Sequence, residues 1–157
     1  MLSSYQDLIE GLTETPGALR KALGNPVADD LDPAQVILLS ELRARERAQL
    51  GRVQRIMREQ QTYLRAIERE PEVVDATAGD GPASNESPEA LLAAFNEGRS
   101  ELIALLMNLT LRDWERPVNH EQAGEVTLSE EIDAHLTWDE EMLGRIRSLE
   151  SGVGSTE

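Results

Sequence analysis

Hydrophobic positions recur every three to four residues along most of the chain, the spacing of helices that bury one face. The strongest such stretch is TLSEEIDAHLTWDEEMLGRIRSL, residues 127–149. Thr127 with Glu130 three positions on forms a capping box, which serves amides that the start of a helix leaves free. At about 100° per residue, Leu128, Ile132, His135, Leu136, Met142, Leu143, Ile146 and Leu149 fall on one broad face. Asp139 lies mid-face, one turn after His135. An imidazole and a carboxylate on an apolar stripe cost stability unless both find partners. The helix therefore either lines a polar pocket or ties the pair into a structural network.

The rest of the chain reads as further helices. Tyr5, Leu8, Ile9 and Leu12 make a short stripe, and Thr15-Pro16 then reads as a cap and first helical position, so residues 3–23 predict two helical pieces. Gly24, Asn25 and Pro26 stop the second. Asp32-Pro33 opens a long helix that runs at least to Met57, with Leu39, Leu42, Leu50, Val53 and Met57 on one side. Beyond Arg58 the pattern allows helix to Glu70 or a break near Gln60, with Pro71 ending it either way. Residues 72–87 predict a loop by composition. Ser87-Pro88, with Glu89 in the first turn, starts a helix that turns Leu91, Leu92, Phe95, Leu102, Leu105, Leu106 and Leu109 inward. A short turn, LRDWER, packs Trp114 against the bundle end, and the loop PVNHEQAGEV leads into the last helix. Residues 150–157 predict an unstructured tail, and no stretch reads as a strand. Four apolar-faced segments over residues 1–149 predict one all-α domain, a four-helix bundle.

Composition narrows the function classes. The 157 residues can bury a sizeable core. The absence of Cys removes disulfides, thiolate metal sites and a thiol nucleophile. A net charge of −15 argues against duplex nucleic acid and against anionic membranes. The start, MLSSYQDLIEG, lacks the basic-then-apolar pattern of a signal peptide. The longest apolar run, LIALLM at 102–107, is far short of the roughly 20 residues that span a bilayer. The expectation is a soluble cytoplasmic protein. No Gly-rich phosphate loop and no Ser placed by motif near a His is present. Arg43, Arg45, Arg47, Arg52 and Arg55 alternate with Glu and lack aromatic partners, so they read as a solvated or dimer-contacting face rather than an RNA site. Glu140 and Glu141 read as solvated, with Glu141 and Arg145 an i, i+4 pair. His120 reads as an exposed loop residue.

Three stretches together resemble the DinB/YfiT-like family of four-helix bundles. ILLSELRARERAQL (37–50) is similar to the family's second helix, in which a metal-binding His is followed five residues later by Glu. SPEALLAAFNEGRSELIALLMNLTLRDWERPVNH (87–120) is similar to its third helix and Trp-containing exit. GEVTLSEEIDAHLTWDEEMLGRI (124–146) is similar to its fourth helix, which typically reads H-D-x-x-H-L-x-Q-I. The resemblance implies frequent homodimers and a divalent metal held by three His, one from the second helix and two, four apart, from the fourth. Some members use that metal to activate a thiol in transferase or isomerase reactions.

The sequence departs from the family where that chemistry would sit. Matching DEEMLGRI to the family pattern puts Trp138 and Met142 at the two His positions, and a register shifted by one puts Asp139 and Leu143 there. Glu41 takes the second-helix position, and Glu46 the Glu that follows it. Only two His exist, His120 and His135. An indole does not ligate metal in this role, and a thioether prefers soft ions. Two readings follow. Glu41, His135 and Asp139 could form a substitute metal site for zinc, nickel or manganese. Otherwise Glu46, His135 and Asp139 satisfy one another or an Arg, while Trp138 and Met142 line a small apolar pocket or fill core. The second reading predicts no metal cofactor and a non-catalytic, homodimeric binding or stress-response bundle with a small-molecule or protein ligand. The first keeps a divergent metal-dependent thiol S-transferase or hydrolase.

Overall fold

A computed structural model describes residues 2–77 and 86–155. In chain order the elements are α1 (Leu2–Leu23), α2 (Pro33–Arg58), β1 (Tyr63–Leu64), a 3-10 turn (Ile67–Arg69), α3 (Pro71–Thr77), α4 (Pro88–Met107), α5 (Leu111–Trp114), β2 (Pro117–His120), β3 (Gly124–Thr127) and α6 (Leu128–Ser155). The long helices start where the caps predict. Asp32 accepts from the Ala34 amide at 2.8 Å ahead of Pro33, and Ser87 from the Ala90 amide at 3.2 Å ahead of Pro88. Thr127 and Glu130 exchange the two bonds of the capping box.

The four long helices close a ring in the packing order α1–α4–α2–α6, so α1 stands diagonal to α2 and α4 to α6. Their apolar stripes meet in two clusters. One holds Leu12, Val53, Ile56, Leu102, Leu106, Leu128 and Ile132 and ends on Trp114, whose ring stacks on Tyr5 at 4.9 Å. The other holds Leu19, Leu39, Leu42, Leu91, Leu92, Phe95, Met142 and Ile146. Outside the bundle, α1 and α4 are tied where Arg20 grips both oxygens of Glu89, which also accepts from the Val27 amide.

Several segments differ from their sequence-based expectation. α1 is one helix, with Pro16 inside it and Thr15 bonding back to the Gly11 carbonyl instead of capping a new start. α2 stops at Arg58, which selects the break near Gln60. Pro71 begins a helix instead of ending one, because a first helical position needs no amide. The part of the expected loop at 78–85 lies outside the described residues. A three-stranded sheet also forms, β1 parallel to β2 and β2 antiparallel to β3, with Val118 opposite Val126. Strands of two and four residues are too short to leave a period in the sequence. Gly124, at φ 77°, supplies the left-handed residue after the hairpin turn. His120 is half-buried in that turn, its Nδ1 accepting from the Gln122 and Ala123 amides. Finally, the α6 backbone runs on through residues 150–155, expected as tail, because an established helix propagates until something interrupts it. Residues 156–157 lie outside the described part.

Candidate functional site

Between the two apolar clusters, every long helix turns a polar residue into the centre of the bundle. These are Thr15 from α1, Glu46 from α2, Arg99 from α4, and His135 with Asp139 from α6. All but Thr15 are at most 2% exposed. A buried charge survives only when paired and hydrogen-bonded, and here the pairing is dense. Arg99 Nε and Nη2 donate to the two oxygens of Glu46, each at 2.7 Å, in a bidentate fork. Nη2 also lies 2.7 Å from Asp139 Oδ2, and His135 Nε2 lies 2.8 Å from Glu46 Oε1.

The remaining nitrogen of Arg99, Nη1, donates to the Leu12 carbonyl at 2.8 Å. That carbonyl is four residues before Pro16, whose ring nitrogen carries no hydrogen to give it. The proline that breaks the ladder of α1 thus opens an acceptor, and the buried guanidinium takes it. The local sequence of α1 and the placement of Arg99 fit as one device.

The carboxylates respond oppositely to this setting. Burial pushes Glu46 up, but the Arg99 fork and His135 outweigh it and hold its pKa at about 2. Burial pushes Asp139 up as well, and there it wins over His135 and a single Arg99 contact, so its pKa is raised. Arg99 is stabilised as a cation, its burial outweighed by Glu46 and Asp139. Because Glu46 holds no proton, the 2.8 Å contact makes His135 Nε2 the donor. The 3.4 Å approach of Arg99 Nη2 to His135 Nε2 is then donor against donor and counts as no bond. His135 Nδ1 and Asp139 Oδ1 have no protein partner among the described residues.

One atom each of Glu46, His135 and Asp139 falls within a 4.8 Å group, and carboxylate and imidazole donors suit zinc or manganese. The place itself is taken. Arg99 Nη2 stands 2.7 Å from Glu46 Oε1 and from Asp139 Oδ2. An ion about 2.0–2.2 Å from its ligands would press against the guanidinium, cation on cation in a medium of low dielectric. As arranged, a metal at these residues would compete with the guanidinium of Arg99.

No family model matches the chain, and no curated protein matches it. Among solved structures, YfiT from Bacillus subtilis superposes with a TM-score of 0.76 over 98% of this chain and 90% of its own, at 18% identity. The chain has the YfiT-like fold. YfiT is described as a probable metal-dependent hydrolase with an unusual four-helix bundle topology, and at this identity the likeness concerns fold alone.

In this chain one side chain of α2 meets two of α6 that lie four apart. The structure brings Glu46, His135 and Asp139 together in this way, and not Glu41, Trp138 and Met142. Glu41 is five residues from Glu46, about 140° around the helix, and half-buried beside shallow clefts on the outside. Trp138 borders one of these, a cleft of about 200 Å³, under the guanidinium of Arg45 at 4.2 Å. Met142 is core, 1% exposed, with Arg145 reaching its sulfur instead of Glu141. The arginine face of α2 is also not uniformly solvated. Arg47 is exposed, but Arg52 is 1% exposed and pairs with Glu131 at 3.0 Å. The residue that sequence reasoning missed is Arg99. Its signal is a cation at the i+4 position between Phe95 and Leu102, in a stripe otherwise made of large apolar residues.

Proposed function

We propose that this protein is a metal-independent binding bundle, in which the guanidinium of Arg99 replaces the divalent ion that the family resemblance implies. The observation that carries this reading is the fork of Arg99 onto Glu46, together with its contact to Asp139. A fixed monovalent cation can pair with both buried carboxylates, but it is no Lewis acid and does not activate a water or a thiol as a metal would. The layer becomes a structural centre, and any ligand must be taken elsewhere. We further propose that the bundle works as a homodimer in the cytoplasm. The dimer follows from the resemblance, and no described helix is long and apolar enough to cross a membrane. Elemental analysis of the purified protein, after incubation with zinc and dialysis, should find far less than one metal per chain. One zinc, nickel or manganese per chain, removed by Asp139→Asn, would overturn the reading. Sedimentation at twice the 17.4 kDa chain mass tests the dimer.

A second reading has its own support: the proximity of Glu46, His135 and Asp139, and the description of YfiT as metal-dependent. It makes the protein a divergent hydrolase or thiol S-transferase and requires Arg99 to swing out of the layer. Zinc-dependent turnover with a low-molecular-weight thiol would support it.

A further inference from the structure

On the flank of the central layer, α2, α6 and the β2–β3 hairpin enclose a cavity of about 380 Å³, which His135 also borders. This is the low end of the roughly 300–1,000 Å³ range of small-molecule sites. Its floor carries Arg52, 1% exposed, and Arg45, whose side chain is 15% exposed. Arg52 spends Nη2 on Glu131, which also accepts from Gln49 at 3.2 Å. Arg52 Nε and Nη1 and Arg45 Nε find no protein partner among the described residues. Three buried guanidinium donors without a protein partner, on two residues that line one cavity, are a large omission, since buried donors are almost always satisfied.

The charges point the same way. The enclosed groups are two guanidiniums and one carboxylate, Glu131. The other acids, Glu68 and Glu130, sit in solvent, Glu68 at 65% exposure and Glu130 engaged with the Thr127 amide. Their field on the floor is screened. Arg52 is matched by the buried Glu131, whereas Arg45 has only a 3.4 Å contact to the exposed Glu68, so its charge is weakly compensated. Burial lowers the pKa of Arg45 and the charge of Arg52 adds to this, only partly offset by Glu68 and Glu131, so a further anion between the two arginines would be favoured. Ile67, Val126 and Ala134 make part of the wall apolar, which favours an organic acid over a bare inorganic ion.

We propose that this cavity is a binding site for a small organic monocarboxylate, its carboxylate set on the free N–H groups of Arg52 and Arg45 and its short apolar body against Ile67 and Val126. The proposal rests on the binding role above and names what is bound.

The test is titration calorimetry of the full chain in EDTA, at matched ionic strength, with sodium benzoate, sodium lactate and inorganic phosphate as probes. Two variants accompany it. Arg45→Gln keeps the Arg52–Glu131 pair, and Ala134→Phe fills the cavity from a solvent-exposed position without touching a charge. Benzoate or lactate should bind one per chain, and each variant should weaken binding at least tenfold while melting as a folded protein. The assignment is overturned by no saturable binding, by binding of phosphate alone, or by equal affinity in either variant. Because EDTA is present, such a failure concerns the ligand only. The metal content measured separately decides the reading of the central layer.

Discussion

Replacing Arg99 by Met keeps an unbranched, flexible stem and removes the guanidinium and its charge. Glu46 then loses two bonds of 2.7 Å, Asp139 loses its cation, and the Leu12 carbonyl loses a donor that Pro16 cannot replace. Removing one partner of a buried ion pair costs about 3–5 kcal/mol, and an orphaned buried carbonyl adds about 1–3 kcal/mol. The sum, roughly 4–8 kcal/mol, is a large share of the about 5–15 kcal/mol that holds a domain folded. At about 2–4 °C per kcal/mol for a chain of this size, thermal unfolding followed by circular dichroism should drop by at least about 8 °C. Arg99→Lys, which keeps the charge and loses the fork, should fall between the variant and the parent. Zinc supplies a second axis. With the guanidinium gone, Glu46, His135 and Asp139 are free to ligate, and zinc at a hundred times its dissociation constant stabilises by about 2.7 kcal/mol. Arg99→Met should therefore be raised by zinc, and the parent should not. A variant that melts within about 2 °C of the parent, or an equal response of both proteins to zinc, would refute the reasoning.

Other outcomes follow from the same geometry. Glu46 sits at about 2 in the folded chain against 4.5 for a free Glu, so its contribution is full above about pH 4.5 and is lost as pH falls toward 2. Asp139 is raised, so it works in the opposite sense, and taking up its proton on acidification relieves a buried charge. Urea midpoints should hold or rise slightly on leaving neutrality and then fall below about pH 4.5, and Glu46→Gln should flatten that fall; an unchanged acid limb in the variant would contradict it. Gly144→Ala should raise stability by about 1 kcal/mol, since helix propensity improves and an added Cβ meets no atom within 4 Å; chemical denaturation checks this. Thr127→Ala should cost about 1 kcal/mol by removing the acceptor for the Glu130 amide, and amide exchange at the first turn of α6 should quicken.

What was legible in the sequence is what local rules govern. Caps, Pro at first positions and a period near 3.6 residues place α2, α4 and the start of α6. The polar pair His135 and Asp139 on an apolar stripe announces a network. One of the two sequence readings, Glu46, His135 and Asp139 tied to one another or to an Arg, is the set the structure brings together; which Arg closes it was not legible, because that depends on which faces the helices turn to one another. Reading Glu41 in place of Glu46 follows from matching a motif by count, and a five-residue offset moves a side chain to the outside. Pro16 misleads for a related reason. Its local effect is to end a helix, and a partner on α4 far along the chain makes it tolerable inside α1. The sheet escapes because its strands hold only two or four residues each, too few for alternation to register.

The contacts of the central layer link residues 53, 87 and 89 positions apart. Each joins a different pair of helices, so the layer is complete only when all four long helices have come together, and the full network is expected to form late, after the barrier is crossed. Interactions of that kind leave the rate of folding alone and lower the rate of escape from the native state. Arg99 should thus act as a latch: it does little to help the chain find its shape, and it sets how long that shape survives in the presence of heat or proteases.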